Sequence, residues 1–208
     1  MRIFFAQVMR EAIETMNFAG EIRLLDAGCG SGAWLNDASE LLARRELKHQ
    51  LFGFDLTEEM VNIAREKLAV TSASSIHIKV GDILSESSYR FDEDRNDYDL
   101  VITYDVVQQL PPRQQYSALE RMWSHVAPGG AMIIFDHDKD TAYGRAMGRK
   151  KFLTQYLRLP LVPRYYCNAK YPPLKKFAEK FSADFALQYK LIAGPDDKKF
   201  GLILFKSR

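Results

Sequence analysis

The sequence is poor in cysteine, with only Cys29 and Cys167 among 208 residues. Two cysteines so far apart give no disulfide framework, and they fit a chain kept reduced in the cytoplasm. No apolar run approaches the roughly 18 residues that read as a membrane span. The opening MRIFFAQVMREAIETM has a short apolar patch but no small-residue cleavage site after it. A helix within residues 1–20 is therefore expected in place of a secretory leader. Charge of one sign is lacking too: the net charge is +2, which by itself names no class of partner. Internal repeats and low-complexity segments are absent.

What is present is the material of a packed α/β domain. Apolar residues make up 47% of the chain and aromatics 12%, enough for one full core over residues 1–208. Short β-like runs stand at 22–27, 50–55, 75–80, 98–104 and 130–136. Helical spacing separates them: Thr57 is a candidate cap before Met60, Ala64 and Leu68, and Tyr116, Leu119, Trp123 and Val126 share one face. The APGG at 127–130 is expected to end that second helix. Strands alternating with helices predict a parallel sheet covered on both faces. Two more runs, FALQYKLIAG and KFGLILFKSR, are joined by PDDKK and read as a terminal hairpin. The expected fold is thus a seven-stranded α/β sheet, parallel except for its hairpin strand, with an insertion at 137–184.

The stretch LLDAGCGSGAW, Leu24 to Trp34, sets three glycines at alternate positions between the first strand and the next helix. In an open parallel sheet this turn lies where ligands bind, and glycine lets backbone bend sharply and approach them. A dinucleotide fold would place its third glycine at 33, where Ala stands, although Ala is tolerated there. Asp26 discriminates better. A carboxylate directly before the turn repels a pyrophosphate and attracts an ammonium or sulfonium group. Asp55 ends the second strand, where a carboxylate accepts from ribose hydroxyls, and Asp82 follows the third.

With these motifs in order, the sequence resembles the class I S-adenosylmethionine-dependent methyltransferases over about residues 22–136. LLDAGCGSGAW, LFGFDLTEEMVNIAREKL, VGDIL, YDLVITYDVVQQL and APGGAMIIF carry the resemblance. It implies a Rossmann-like sheet and S-adenosylmethionine as cofactor. It further implies that Gly28, Cys29, Gly30 and Gly32 line the methionine moiety, with Asp26 supporting its amino end. Asp55 would hold the ribose beside Leu56 and Met60, Asp82 and Ile83 would address the adenine, and Tyr104 would face the methionine side.

Methyl transfer from a sulfonium needs mainly alignment, which is worth roughly 7–11 kcal/mol, so few catalytic residues are expected. Tyr104 and His137 are the candidates, His137 as a base just after the fifth strand. Asp105, Asp136 and Asp138 offer oxygen ligands to a hard cation, but the Asn that accompanies such sites is replaced by His137, so no metal is expected. Absence of NPPY or DPPY after the fourth strand argues against amino-methylation of DNA bases or protein glutamine.

The insertion is the expected substrate lid. It holds eleven Lys or Arg against four acids, interleaved with tyrosines, while the remainder of the chain is acidic. Gln108, Tyr143, Arg145, Arg149, Arg164 and Tyr165 are the candidates for substrate contact. The expected acceptor is a small anionic or aromatic molecule methylated at oxygen or nitrogen. The alternatives are an RNA, a substrate on an acidic carrier protein, or cofactor binding without turnover.

Overall fold

A computed structural model describes residues 2–16, 20–71, 73–91, 96–163 and 167–208. Helix α1 (Arg2–Met16) buries Phe4, Phe5, Val8, Met9, Ala12, Ile13 and Met16, a stripe at three- and four-residue spacing. Then follow β1 (Ile22–Ala27), α2 (Ala33–Ala43), β2 (His49–Asp55), α3 (Glu58–Leu68), β3 (Ser75–Val80) and β4 (Tyr98–Tyr104). Helix α4 (Pro112–Ser124), β5 (Val126–Asp136), α5 (Ala142–Tyr156), α6 (Leu174–Phe185), β6 (Gln188–Ala193) and β7 (Phe200–Phe205) complete the order.

The seven strands run β3-β2-β1-β4-β5-β7-β6. The first five are parallel, and β7 enters antiparallel to both β5 and β6. Every residue of the central β1 is buried, as a strand covered on both faces requires. Successive residues of β5 serve opposite cores: Ile133 packs with α1, α2 and α3, and Ile134 with α4 and α6. Strand order runs outward from β1 to β3 on one side and from β4 on the other, so the crevice beyond the carboxyl ends of the parallel β1 and β4 is the place for a ligand.

Two local expectations are corrected. APGG is no helix stop followed by a strand at 130: β5 already begins at Val126. It pairs with Tyr98 there, and the register then slips before Leu100 meets Ala131. Gly129, at φ +77°, accommodates the irregularity. Thr57 occupies the cap position of α3, but its side chain makes no cap bond. The Thr57 N–H instead donates to Asp55 Oδ1 at 3.0 Å.

Candidate cofactor and acceptor site

The three glycines of the turn are bare for three different reasons. All have positive φ: +86° at Gly28, +50° at Gly30 and +73° at Gly32. A Cβ on Gly28 would stand 2.4 Å from Val106 Cγ2, because the turn after β1 packs against the loop after β4. A Cβ on Gly32 would press Ala64 and Leu68 of α3 at 3.2 Å. At Gly30 a Cβ would meet nothing within 4 Å. Packing therefore accounts for two of the glycines, and the third faces open space at the switch point.

Below the turn, Asp26 is 1% exposed, and neither carboxyl oxygen has a hydrogen-bond partner among the described residues. Burial, and then the nearby Asp55 charge, push its pKa up to about 8. An unpaired buried polar group costs about 1–3 kcal/mol, which a ligand bearing a cation or N–H donors would offset. Asp55 is half-buried. Its Oδ2 accepts from the Gly30 N–H at 2.9 Å, so the end of β2 clamps the turn. The donor set thus fits the expected cofactor: an orphan carboxylate, a clamped bare turn, and a strand-end acid with acceptor capacity left.

The other residues expected around the cofactor are placed unequally. Met60 is half-buried, while Leu56 is 73% exposed at the rim. Asp82 is exposed, its Oδ1 accepting from Leu84 N–H at 2.9 Å, and Ile83 is buried in the core on the α4 side. Cys29 is buried, and desolvation raises its thiol pKa, which leaves it a packing group.

At the ends of β4 and β5 the chain assembles a charged cluster that sequence reasoning did not foresee as a unit. Tyr104 stacks on Trp34 with ring centroids 4.0 Å apart, and its buried hydroxyl lacks a partner among the described residues. Lys199, from the turn before β7, is buried, lies 4.3 Å over the Tyr104 ring and pairs with Asp105. Asp105 itself sits at φ +59°. Gln108 is buried: its side chain donates to Asp105 at 2.7 Å and its backbone to Asp136 at 3.0 Å. That geometry ties Gln108 into the scaffold between two strand ends. Asp136 is wholly buried, and desolvation and Asp105 raise its pKa to about 8. Asp138 accepts from the Asp140 and Lys175 amides. Each of the three acids is thus engaged by protein donors, and among the described residues no group of three or more His, Cys, Asp or Glu is placed to hold a metal ion.

His137 follows directly. Its Nδ1 lies 2.5 Å from the Lys198 carbonyl, which can only accept, so the proton resides on Nδ1 and Nε2 keeps its lone pair. Burial lowers its pKa. The ring rests against Tyr171 at 4.6 Å and Tyr143 at 5.5 Å.

Tyr171 also walls a cleft of about 330 Å³ beneath α5, where Lys139, Lys151 and Lys170 meet Phe152 and Tyr156. Lys151 is buried, donates to the Ala169 carbonyl at 2.9 Å and lies 3.7 Å over the Tyr171 ring. Desolvation lowers its pKa. None of the three lysines has a carboxylate partner among the described residues. Of the candidate substrate residues, Tyr143 is in this neighbourhood, and Arg145 and Arg149 are exposed on α5, Arg145 donating to the Asp140 carbonyl. Arg164 and Tyr165 lie outside the described residues. The cleft lysines are unmarked in sequence because eleven cations crowd the insertion and only tertiary packing selects among them.

A parallel sheet with a clamped, bare turn at its switch point is the architecture in which nucleoside-bearing ligands are commonly held. The chain belongs to the methyltransferase domain family, whose sequence profile matches residues 24–130. Demethylmenaquinone methyltransferase of Shouchella clausii is 24% identical over 132 residues, covering 64% of this chain and 52% of that protein. The chain spans about half the length of the curated relatives it matches. Among solved structures, magnesium protoporphyrin IX methyltransferase from Synechocystis with bound SAH aligns at a TM-score of 0.66 and 18% identity. That alignment covers 99% of this chain and 83% of the other. The plantazolicin methyltransferase BpumL in complex with SAH aligns at 0.69 and 14% identity, covering 100% and 84%. These likenesses establish the Rossmann-like methyltransferase fold.

Proposed function

We propose that the chain is an S-adenosylmethionine-dependent methyltransferase acting on oxygen or nitrogen of a small anionic molecule with an aromatic body. The observation that carries the cofactor reading is Asp26, a buried carboxyl group without a hydrogen-bond partner among the described residues, beneath a glycine turn that opens onto space at Gly30. The SAH bound in two structures of the same fold supports it. The cofactor supplies an electrophilic methyl group on a sulfonium, and this chain's residues do the rest by placement. Asp26 receives the ammonium end, Asp55 keeps acceptor capacity for ribose hydroxyls, and Tyr104 with Trp34 closes the methionine side.

Three lysines without a carboxylate partner among the described residues and the aromatic walls of the 330 Å³ cleft support an anionic, ring-bearing acceptor. Tyr171 lines that cleft and its ring rests on His137 at 4.6 Å, which supports His137 as the base for an acceptor bound beside it. The test is incubation with isotope-labelled methyl donor and a metabolite extract, with labelled products identified by mass spectrometry. Label in small acidic aromatics is the expected result. Label only in RNA or protein would replace the acceptor reading, and cofactor binding without any labelled product would leave a binding protein.

A further inference from the structure

Helix α5 is fifteen residues long, yet its buried residues are only Gly144 and Lys151. A helix in water draws most of its stability from an apolar face packed on something else, and α5 has nearly none. Its outward stripe instead carries Arg145, Arg149, Phe152 and Tyr156 at helical spacing, all exposed. Five of the eleven large apolar side chains exposed on the described surface fall within residues 152–161. Scattered singly they would need no explanation, but a contiguous group marks an interaction surface.

The charge around this group selects the partner. From residue 141 to residue 178 the sequence has no Asp or Glu and nine Lys or Arg. Arg149, Lys150 and Arg158 are exposed and free of ion pairs among the described residues. Exposed apolar and aromatic side chains interleaved with exposed cations along one stretch of chain match a bilayer interface, where rings and leucines enter the headgroup region and cations meet phosphates. We propose that α5 and the segment through Leu161 form a face that seats reversibly on anionic phospholipid. No helix among the described residues is long and apolar enough to cross a membrane, so the contact is peripheral. Phe152 and Tyr156 line both this face and the cleft above Tyr171, so a ligand leaving the bilayer surface has a direct way in.

The test is co-sedimentation of the full chain with vesicles of phosphatidylcholine alone, or with one third phosphatidylglycerol, at low and high salt. Vesicle binding needs no methyl transfer, so the result stands apart from the proposed activity. Pelleting is expected with anionic vesicles, weakening with salt. Lys150→Gln and Arg158→Gln are each expected to lower partitioning about fivefold, multiplying in the pair. The pair Phe152→Ser and Leu157→Ser is expected to lower it further at high salt. These sites are exposed, and unchanged circular dichroism confirms the fold. A chain left in the supernatant with anionic vesicles overturns the proposal, as does undiminished pelleting of all variants. Self-association abolished by Phe152→Ser and Leu157→Ser, without vesicle binding, would assign the face to a second copy instead. Salt-sensitive binding of an RNA oligonucleotide with no vesicle binding would assign it to nucleic acid.

Discussion

The Gly30 amide donates to the Asp55 carboxylate at 2.9 Å, so the tip of β2 holds the turn that follows β1. Two strand ends therefore set the position of one peptide, and the ligand site inherits their rigidity. Gly28 and Gly30 are expected to fail differently when replaced. Gly28→Ala puts a methyl 2.4 Å from Val106 Cγ2 at φ +86° and should cost about 2–4 kcal/mol of stability. Val106→Ala in the same chain should restore part of it. Gly30→Ala should cost only about 1–2 kcal/mol, the left-handed penalty, yet lose most cofactor affinity because its methyl stands in the open cradle. Thermal denaturation and calorimetric titration with S-adenosylhomocysteine separate the two outcomes.

Asp26 makes stability and affinity run oppositely with pH. Its carboxyl titrates near 8 in the fold and near 4 unfolded, so the native chain holds an extra proton between those values. Stability of the ligand-free chain is therefore greatest below about pH 4 as far as this group is concerned, and is lost as pH rises toward 8. Asp136, also raised to about 8, adds to the same trend. A cationic cofactor favours the ionised carboxylate, so its affinity should rise up to about tenfold per pH unit below 8 and then level. Asp26→Asn should flatten the affinity curve and leave only the part of the stability trend that Asp136 contributes. Calorimetry in buffers of different ionisation heat counts the proton released on binding; the same pH slope in Asp26→Asn would assign that proton elsewhere.

Lys199 should matter more than a loop lysine normally does. Lys199→Met removes the cation paired with Asp105 and leaning over Tyr104. Because Asp105 is 36% exposed, the loss should be about 1–2 kcal/mol, below that of a fully buried pair. Adding Asp105→Asn should recover much of it, and chemical denaturation of the single and double variants measures the coupling.

His137 is expected to appear in the pH profile once an acceptor is in hand. Burial lowers its pKa below the ordinary 6.5, so the acidic limb of kcat should fall below that value. His137→Ala should remove the limb and lower kcat by about 10²–10⁴-fold. A profile of unchanged shape would make His137 a structural residue.

How much of this was legible in sequence follows from what is local. Strand runs, the glycine turn and the acids Asp26, Asp55 and Asp82 are short-range patterns, and the structure places them at the carboxyl ends of the neighbouring strands β1, β2 and β3. APGG misled because a bulged strand start uses the same residues as a helix stop. Lys199 was invisible, since PDDKK reads as solvated turn chemistry until β7 inserts beside β5. Gln108 looked presented to substrate because no local signal shows that its amides face Asp105 and Asp136. Asp26 is a candidate from its position before the turn, but its lack of hydrogen-bond partners among the described residues is a property of the packed core alone.

The most direct test of the central claim is calorimetric titration of S-adenosylmethionine, S-adenosylhomocysteine and NAD into the purified chain and its Gly30→Ala and Asp26→Asn variants. The account predicts one-to-one binding of both sulfur nucleosides, greatly weakened in both variants, and no heat from NAD. Binding of NAD without either sulfur nucleoside would contradict it.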